Sequence, residues 1–132
     1  KKLINLSGDY LNSSIFFLDE IKSIEDIYKS ASFFIISSRY EGTPNSLLEA
    51  SSFGIPSIIS DSIKLKDNIL VDKKNCIIFK NEDVVSCTQS IDFAVNNYKS
   101  CLIYGNNLKK LILSNYSLKN ANKSWDQVIG EF

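Results

Sequence analysis

The sequence contains no histidine and no methionine. Without histidine, the commonest general base near neutral pH and the commonest zinc ligand are missing from any site this chain could build. Arg39 is the only arginine, which excludes a phosphate clamp of several guanidinium groups. Cysteine is scarce: Cys76, Cys87 and Cys101 are an odd number, far apart, with no Cys-x-x-Cys spacing. A disulfide framework or a zinc site is not expected, and reduced thiols in a cytosolic protein are the simpler reading. Neither sign of charge is in excess, since 15 basic residues balance 15 acidic ones. Nucleic-acid binders usually carry a basic surplus, so no nucleic-acid partner is expected. No apolar run approaches the roughly 20 residues of a membrane span. No signal peptide is visible at Lys1. With no initiator methionine either, the chain is expected to begin partway through a longer gene product.

What is present is a core. The 132 residues are 44% hydrophobic, enough for one compact domain and too apolar for disorder. Short apolar runs alternate with helical patterns. "SIFFL" (14–18), "FFIISS" (33–38), "PSIIS" (56–60) and "CIIFK" (76–80) predict four strands. Between the first two, "SIEDIYKSA" (23–31) has helical spacing, with Ser23 as a candidate N-cap. "PNSLLEASSF" (44–53) predicts a helix with Thr43 at the N-cap, Pro44 in the first helical position and Gly54 just past the end. From Asn81 onward the pattern is helical. Asp83 can cap a helix to about Asn97, with Val84, Val85, Ile91 and Val95 expected on its buried face. "SCLIYGNNLKKLILSNY" (100–116) continues in the same style. A last helix is expected from Ser117, with Leu118, Ala121, Trp125 and Val128 or Ile129 inward. No internal repeat or linker interrupts the series. Continuously apolar strands alternating with helices imply an α/β fold, a Rossmann-like parallel sheet with helices on both faces.

In such a sheet, ligands bind beyond the carboxyl ends of the strands. The segment that leaves "FFIISS" there carries two carboxylates, Glu41 and Glu49, with seven residues between them. The helix starting near Pro44 presents free N–H groups and a positive dipole end, a natural anion site. Gly42 permits a tight turn and close approach of a ligand. Glu49 lies about 7–8 Å along the helix axis from that tip, at about 1.5 Å of rise per residue. A phosphate at the tip would leave the vicinal hydroxyls of a ribose near Glu49, and a carboxylate can accept both hydrogens. Glu41, on the loop side of the phosphate, would meet whatever lies across it. The spacing suits a nucleotide diphosphate sugar: ribose at Glu49, phosphates at the Thr43–Ser46 amides, transferable sugar at Glu41.

Glu41-Gly42-Thr43-Pro44-Asn45-Ser46-Leu47-Leu48-Glu49-Ala50, followed by Gly54-Ile55-Pro56, resembles the E-x7-E signature of retaining nucleotide-sugar glycosyltransferases with the GT-B fold, most like glycosyltransferase family 4. Ser38 precedes it in the expected place, and "KKNCIIFKNEDV" and "YSLKNANKSWDQVI" resemble the family's later strand and terminal helix. The sequence departs from the family at Asp19, where a glycine is usual, and at Asn68, near which a glutamate is usual. The resemblance implies the carboxyl-terminal donor-binding domain, residues 1–132 being part of a GT-B fold truncated at its start. It implies Glu41 as the catalytic carboxylate, and Glu49, Gly42, Thr43, Pro44, Asn45, Ser46 and Leu48 as the donor site. It implies no metal and no cofactor beyond the nucleotide-sugar donor. The acceptor, a bacterial polysaccharide or glycolipid, would be held by an absent amino-terminal domain, so the isolated chain is expected to be an inactive part of a hexosyltransferase. The setting implied is cytoplasmic, with peripheral association at the inner membrane face left open.

Two other readings stand beside this one: a domain of the same fold that binds nucleotide without transfer, and an interaction domain. Arg39, Lys64 and Lys66 are more simply solvated residues, and Tyr116 and Trp125 packing residues. Two strands that normally lie beside "FFIISS" are missing. The expectation is either a collapsed four-stranded sheet with "SIFFL" directly beside "FFIISS", or a homodimer or swapped assembly that covers the bare edge.

Overall fold

The computed structural model describes residues 2–21 and 23–116. The helix expected from Ser117 onward, with Trp125, lies outside the described residues. In chain order the elements are α1 (Lys2–Ser7), α2 (Ile24–Ser30), β1 (Phe34–Ile36), α3 (Asn45–Ser52), β2 (Ser57–Ser60), β3 (Ile77–Phe79), α4 (Val84–Asn96) and α5 (Tyr98–Asn115). The three strands are parallel and stand in the order β1-β2-β3.

Register sorts the side chains into two rows. Ile36 pairs with Ile59 and Ile59 with Ile78, while Ile35 pairs with Ile58 and Ile58 with Ile77. Successive residues of a strand point to opposite faces, so the rows face opposite ways. Ile36 and Ile59 pack with Leu47 of α3 and with Leu108 and Ile112 of α5. Ile58, Ile77 and Phe79 pack with Ala94 of α4 and Cys101 of α5. Both faces therefore carry helices, and all four residues of β2 are buried. Full burial of an isoleucine is worth about 1.5–3 kcal/mol, so the central strand anchors the sheet.

Two glycines set close approaches. Gly54, at φ 79°, ends α3 in the left-handed region that its position past the helix predicts. Its carbonyl, with the backbone of Ile55 and Pro56, forms the seat against which α5 passes at Gly105. A Cβ on Gly105 would stand 2.9 Å from Pro56 N and 3.0 Å from Ile55 C, and would meet the Gly54 carbonyl oxygen closer still.

Four expectations are corrected. "SIFFL" is not a strand: after an isolated bridge between Leu11 and Ile15 it has no regular structure. The Tyr10 carbonyl takes the amides of Ser13, Ser14 and Ile15 at 3.2, 2.9 and 2.8 Å, which commits the start of the run to a turn. The sheet has three strands, without the collapsed fourth, and the outer edge of β1 is unpaired among the described residues. The face of α4 that packs on the sheet is Cys87, Ile91 and Ala94, the first two partly buried and Ala94 fully, whereas Val84, Val85 and Val95 are exposed. The small Ala94 and Cys87 let the helix lie close to β2 and β3. Last, α3 starts one residue later than expected. Pro44 stands at the N-cap, and no side chain caps the helix, Thr43 included. Asp83 does cap α4, its Oδ1 accepting from Ser86 N at 2.9 Å.

Candidate functional site

Three parallel strands end on one rim, and their ends are tied together by hydroxyls. Ser62, just beyond β2, donates from Oγ to the Ser38 carbonyl beyond β1 at 2.7 Å. Ser60 Oγ lies 2.8 Å from Ser62 Oγ and 3.1 Å from the amide oxygen position of Asn81, beyond β3. Each hydroxyl has a single hydrogen. The Ser62 hydrogen goes to the Ser38 carbonyl, so the single Ser60 hydrogen faces two acceptors, Ser62 Oγ and Asn81 Oδ1. Ser60 is fully buried, so satisfying it matters.

Glu41 hangs from this rim. Its Oε1 accepts from Ser38 Oγ at 2.6 Å, and the residue is half-buried. Gly42, Thr43, Asn45 and Ser46 are exposed, and Pro44 is buried. Pro44, at φ −78° and ψ 73°, is the centre of a three-residue turn that the Asn45 amide closes onto the Thr43 carbonyl at 2.9 Å. That bond removes one of the amides expected to face a phosphate. Leu47 and Leu48 amides return to the Pro44 carbonyl at 3.0 and 3.1 Å. A Cβ on Gly42 would meet nothing within 4 Å, and its φ is not in the left-handed region. The turn therefore does not require glycine there; the open space beside it does distinguish the position. Leu48 packs against the core of the α3 and α5 face.

Glu49 has a different partner. Tyr28 of α2 donates from Oη to Glu49 Oε2 at 3.2 Å, across α2 and α3. Burial raises the Tyr28 pKa, and the nearby Glu49 carboxylate raises it further. The two glutamates are thus anchored separately, Glu41 to the strand rim and Glu49 to α2. Arg39 pairs with Glu82 at 2.8 Å, both exposed, at a cavity of about 440 Å³ that Asn81 and the start of α4 also line. Among the described residues no group of three or more acidic, cysteine or histidine residues could hold a metal ion. No described helix is long and apolar enough to cross a membrane.

Sequence reasoning named Glu41 and the start of α3 but missed Ser60, Ser62 and Asn81. The available signal was the polar residues within three positions of the end of each apolar run, at "SIISDS" and "IIFKN". In a parallel sheet such residues all reach the same rim.

Comparison with known proteins agrees with this architecture. Over 97% of its length the chain is 29% identical to an uncharacterized glycosyltransferase of Methanocaldococcus jannaschii, of which it spans only 33%. The fold matches a sucrose-phosphate synthase from Thermosynechococcus elongatus with a TM-score of 0.83 and 16% identity, covering 99% of this chain and 34% of that one. It also matches the C-terminal domain of a group 1 family glycosyl transferase from Francisella tularensis, with a TM-score of 0.67 and 19% identity over 79% of this chain and 53% of that one. Residues 1–111 match the family of glycosyl transferases group 1, and the chain belongs to that family.

Proposed function

We propose that the chain is the donor-binding, carboxyl-terminal domain of a retaining GT-B glycosyltransferase of the family 4 type. The observation that carries this reading is the placing of Glu41: half-buried, held by Ser38, at the carboxyl ends of parallel strands and beside the start of α3. In this reading the diphosphate of a nucleotide sugar lies against the tip of α3, where dipole and remaining amides offset its charge. Glu41 accepts hydroxyl hydrogens of the sugar and stabilises positive charge developing at the reacting carbon. Glu49 takes the ribose hydroxyls. A hexose passes to a polysaccharide or glycolipid acceptor held by a separate domain, in the cytoplasm or at the inner membrane face. No metal or cofactor is required in this scheme. The isolated chain binds donor and does not transfer it, because closure of a second domain completes such sites.

The test is titration of the ¹⁵N-labelled chain with uridine and guanosine diphosphates and their hexose conjugates. Shifts are expected at residues 38–49 with one of them, and Glu49→Ala is expected to weaken that affinity at least tenfold. Titrations that leave residues 38–49 unmoved would sink the donor-site reading. The Tyr28–Glu49 bond favours a second reading, in which Glu49 braces α2 against α3. Glu49→Ala would then lower stability and leave nucleotide affinity unchanged.

A further inference from the structure

We propose that Ser62 is a positioning residue for Glu41, fixing through the Ser38 carbonyl the loop that presents the carboxylate. The loop after β1 needs such a tie. Outside the strand ladder, no described backbone hydrogen bond holds residues 38–42. Their geometry is left to side chains. One tie, Arg39 with Glu82, is exposed on both sides, and exposed ion pairs hold weakly. The other is the 2.7 Å bond from Ser62 Oγ to Ser38 O. Ser38 then holds Glu41 through its own hydroxyl at 2.6 Å.

What makes Ser62 more than one hydrogen bond is the frame behind it. The turn that carries it is closed by Ile63 N to Ser60 O at 3.0 Å. That turn is pinned to the end of β3 twice, by Asp61 N to Phe79 O and by Asn81 N to Asp61 Oδ1, both at 2.9 Å. Ser60, fully buried, holds Ser62 on both sides: the two hydroxyl oxygens stand 2.8 Å apart, and Ser60 Oγ accepts the Ser62 amide at 3.3 Å. Position is therefore passed from β3 to β2, from β2 to the loop of β1, and so to Glu41. No atom of Ser62 or Ser60 lies within 4 Å of a Cβ built on Gly42, so in this proposal both act through Glu41. The placing of Glu41 stands on the geometry alone; only its consequence for the sugar rests on the donor-site reading.

The experiment compares wild type, Ser62→Ala and Ser62→Thr by ¹⁵N relaxation and urea unfolding, without ligand. Order parameters at residues 38–42 are expected to fall from about 0.85 to below about 0.6 in Ser62→Ala. They are expected to hold in Ser62→Thr, which keeps the hydroxyl, while β2 and β3 stay rigid in both. Unchanged order parameters in Ser62→Ala, or loosening spread evenly through the sheet, would overturn the proposal. A second arm measures affinity for uridine and guanosine diphosphates and for their hexose conjugates. Ser62→Ala is expected to lose the extra affinity that the sugar contributes, at least fivefold, and to keep that for the bare nucleotide. Equal loss for both would overturn the assignment to Glu41. Failure of wild type to bind any of these would overturn the donor-site reading and leave the relaxation result to decide the positioning.

Discussion

Gly42 and Glu41 are neighbours held in opposite ways. Glu41 has a short hydrogen bond, while Gly42 has open space and an ordinary φ. Gly42→Ala is therefore expected to leave stability within about 0.5 kcal/mol of wild type. Nucleotide-sugar affinity is expected to fall at least threefold, since the new methyl group stands where a ligand would approach; calorimetry on the folded variant reads both. The buried thiols make a separate prediction. Burial, helped by the Asp72 carboxylate, pushes the Cys76 thiol up to about 12, and burial raises Cys101 and Tyr28 as well. Below pH 9 the Cys76 thiol is protonated in both folded and unfolded chains, and its contribution is fully present. As pH rises from 9 toward 12, only the unfolded chain loses the proton, and stability falls by up to about 1.4 kcal/mol per pH unit for that group. Urea midpoints should drop between pH 8 and pH 10.5, less steeply in Cys76→Val.

At the scale of elements, α5 passes the end of α3 closer than a Cβ on Gly105 would allow. Alanine is favoured over glycine inside a helix by about 1 kcal/mol. At Gly105 the added Cβ meets backbone atoms of residues 54–56, which cannot rotate away. Overpacking of this kind costs about 1–3 kcal/mol, so packing outweighs propensity. Gly105→Ala is expected to lower the urea midpoint; a rise would show that α5 can shift on its seat. The same scale explains why α4 shows its apolar Val84 and Val85 to solvent. A helix buries the stripe whose shape fits the sheet. Cys87, Ile91 and Ala94 pack there, although the valines are more apolar than Cys87 or Ala94.

The molecule as a whole carries no net charge, and among the described residues the outer edge of β1 is unpaired. Ile35 on that edge is 46% exposed, and Leu3, Leu6, Phe16 and Leu18 are more exposed still. Unpaired edges and contiguous apolar surface favour association, and zero net charge does little to oppose it. The isolated chain is expected to self-associate at tens of micromolar by light scattering, and Ile35→Lys to shift it toward monomer. A wild type that stays monomeric at those concentrations would show that the edge is protected in some other way.

The sequence by itself determined the alternation of strands and helices, the parallel sheet, the ends of α3 and α4 at Gly54 and Asp83, and the loop that carries Glu41. Each is written in neighbouring residues: apolar runs, a left-handed glycine, a side-chain cap. Tertiary structure alone decided what those elements touch. Ser62 finds Ser38 across 24 positions, and Tyr28 finds Glu49 across 21. No local period encodes such a partner. "SIFFL" reads as a strand by composition, but strand pairing needs a second backbone with free groups, and the first amide of the run is already committed to Tyr10. Period and capping act within one or two turns of chain. Hydrogen-bond partners and buried faces are chosen by the three-dimensional proximity of groups that the chain keeps far apart.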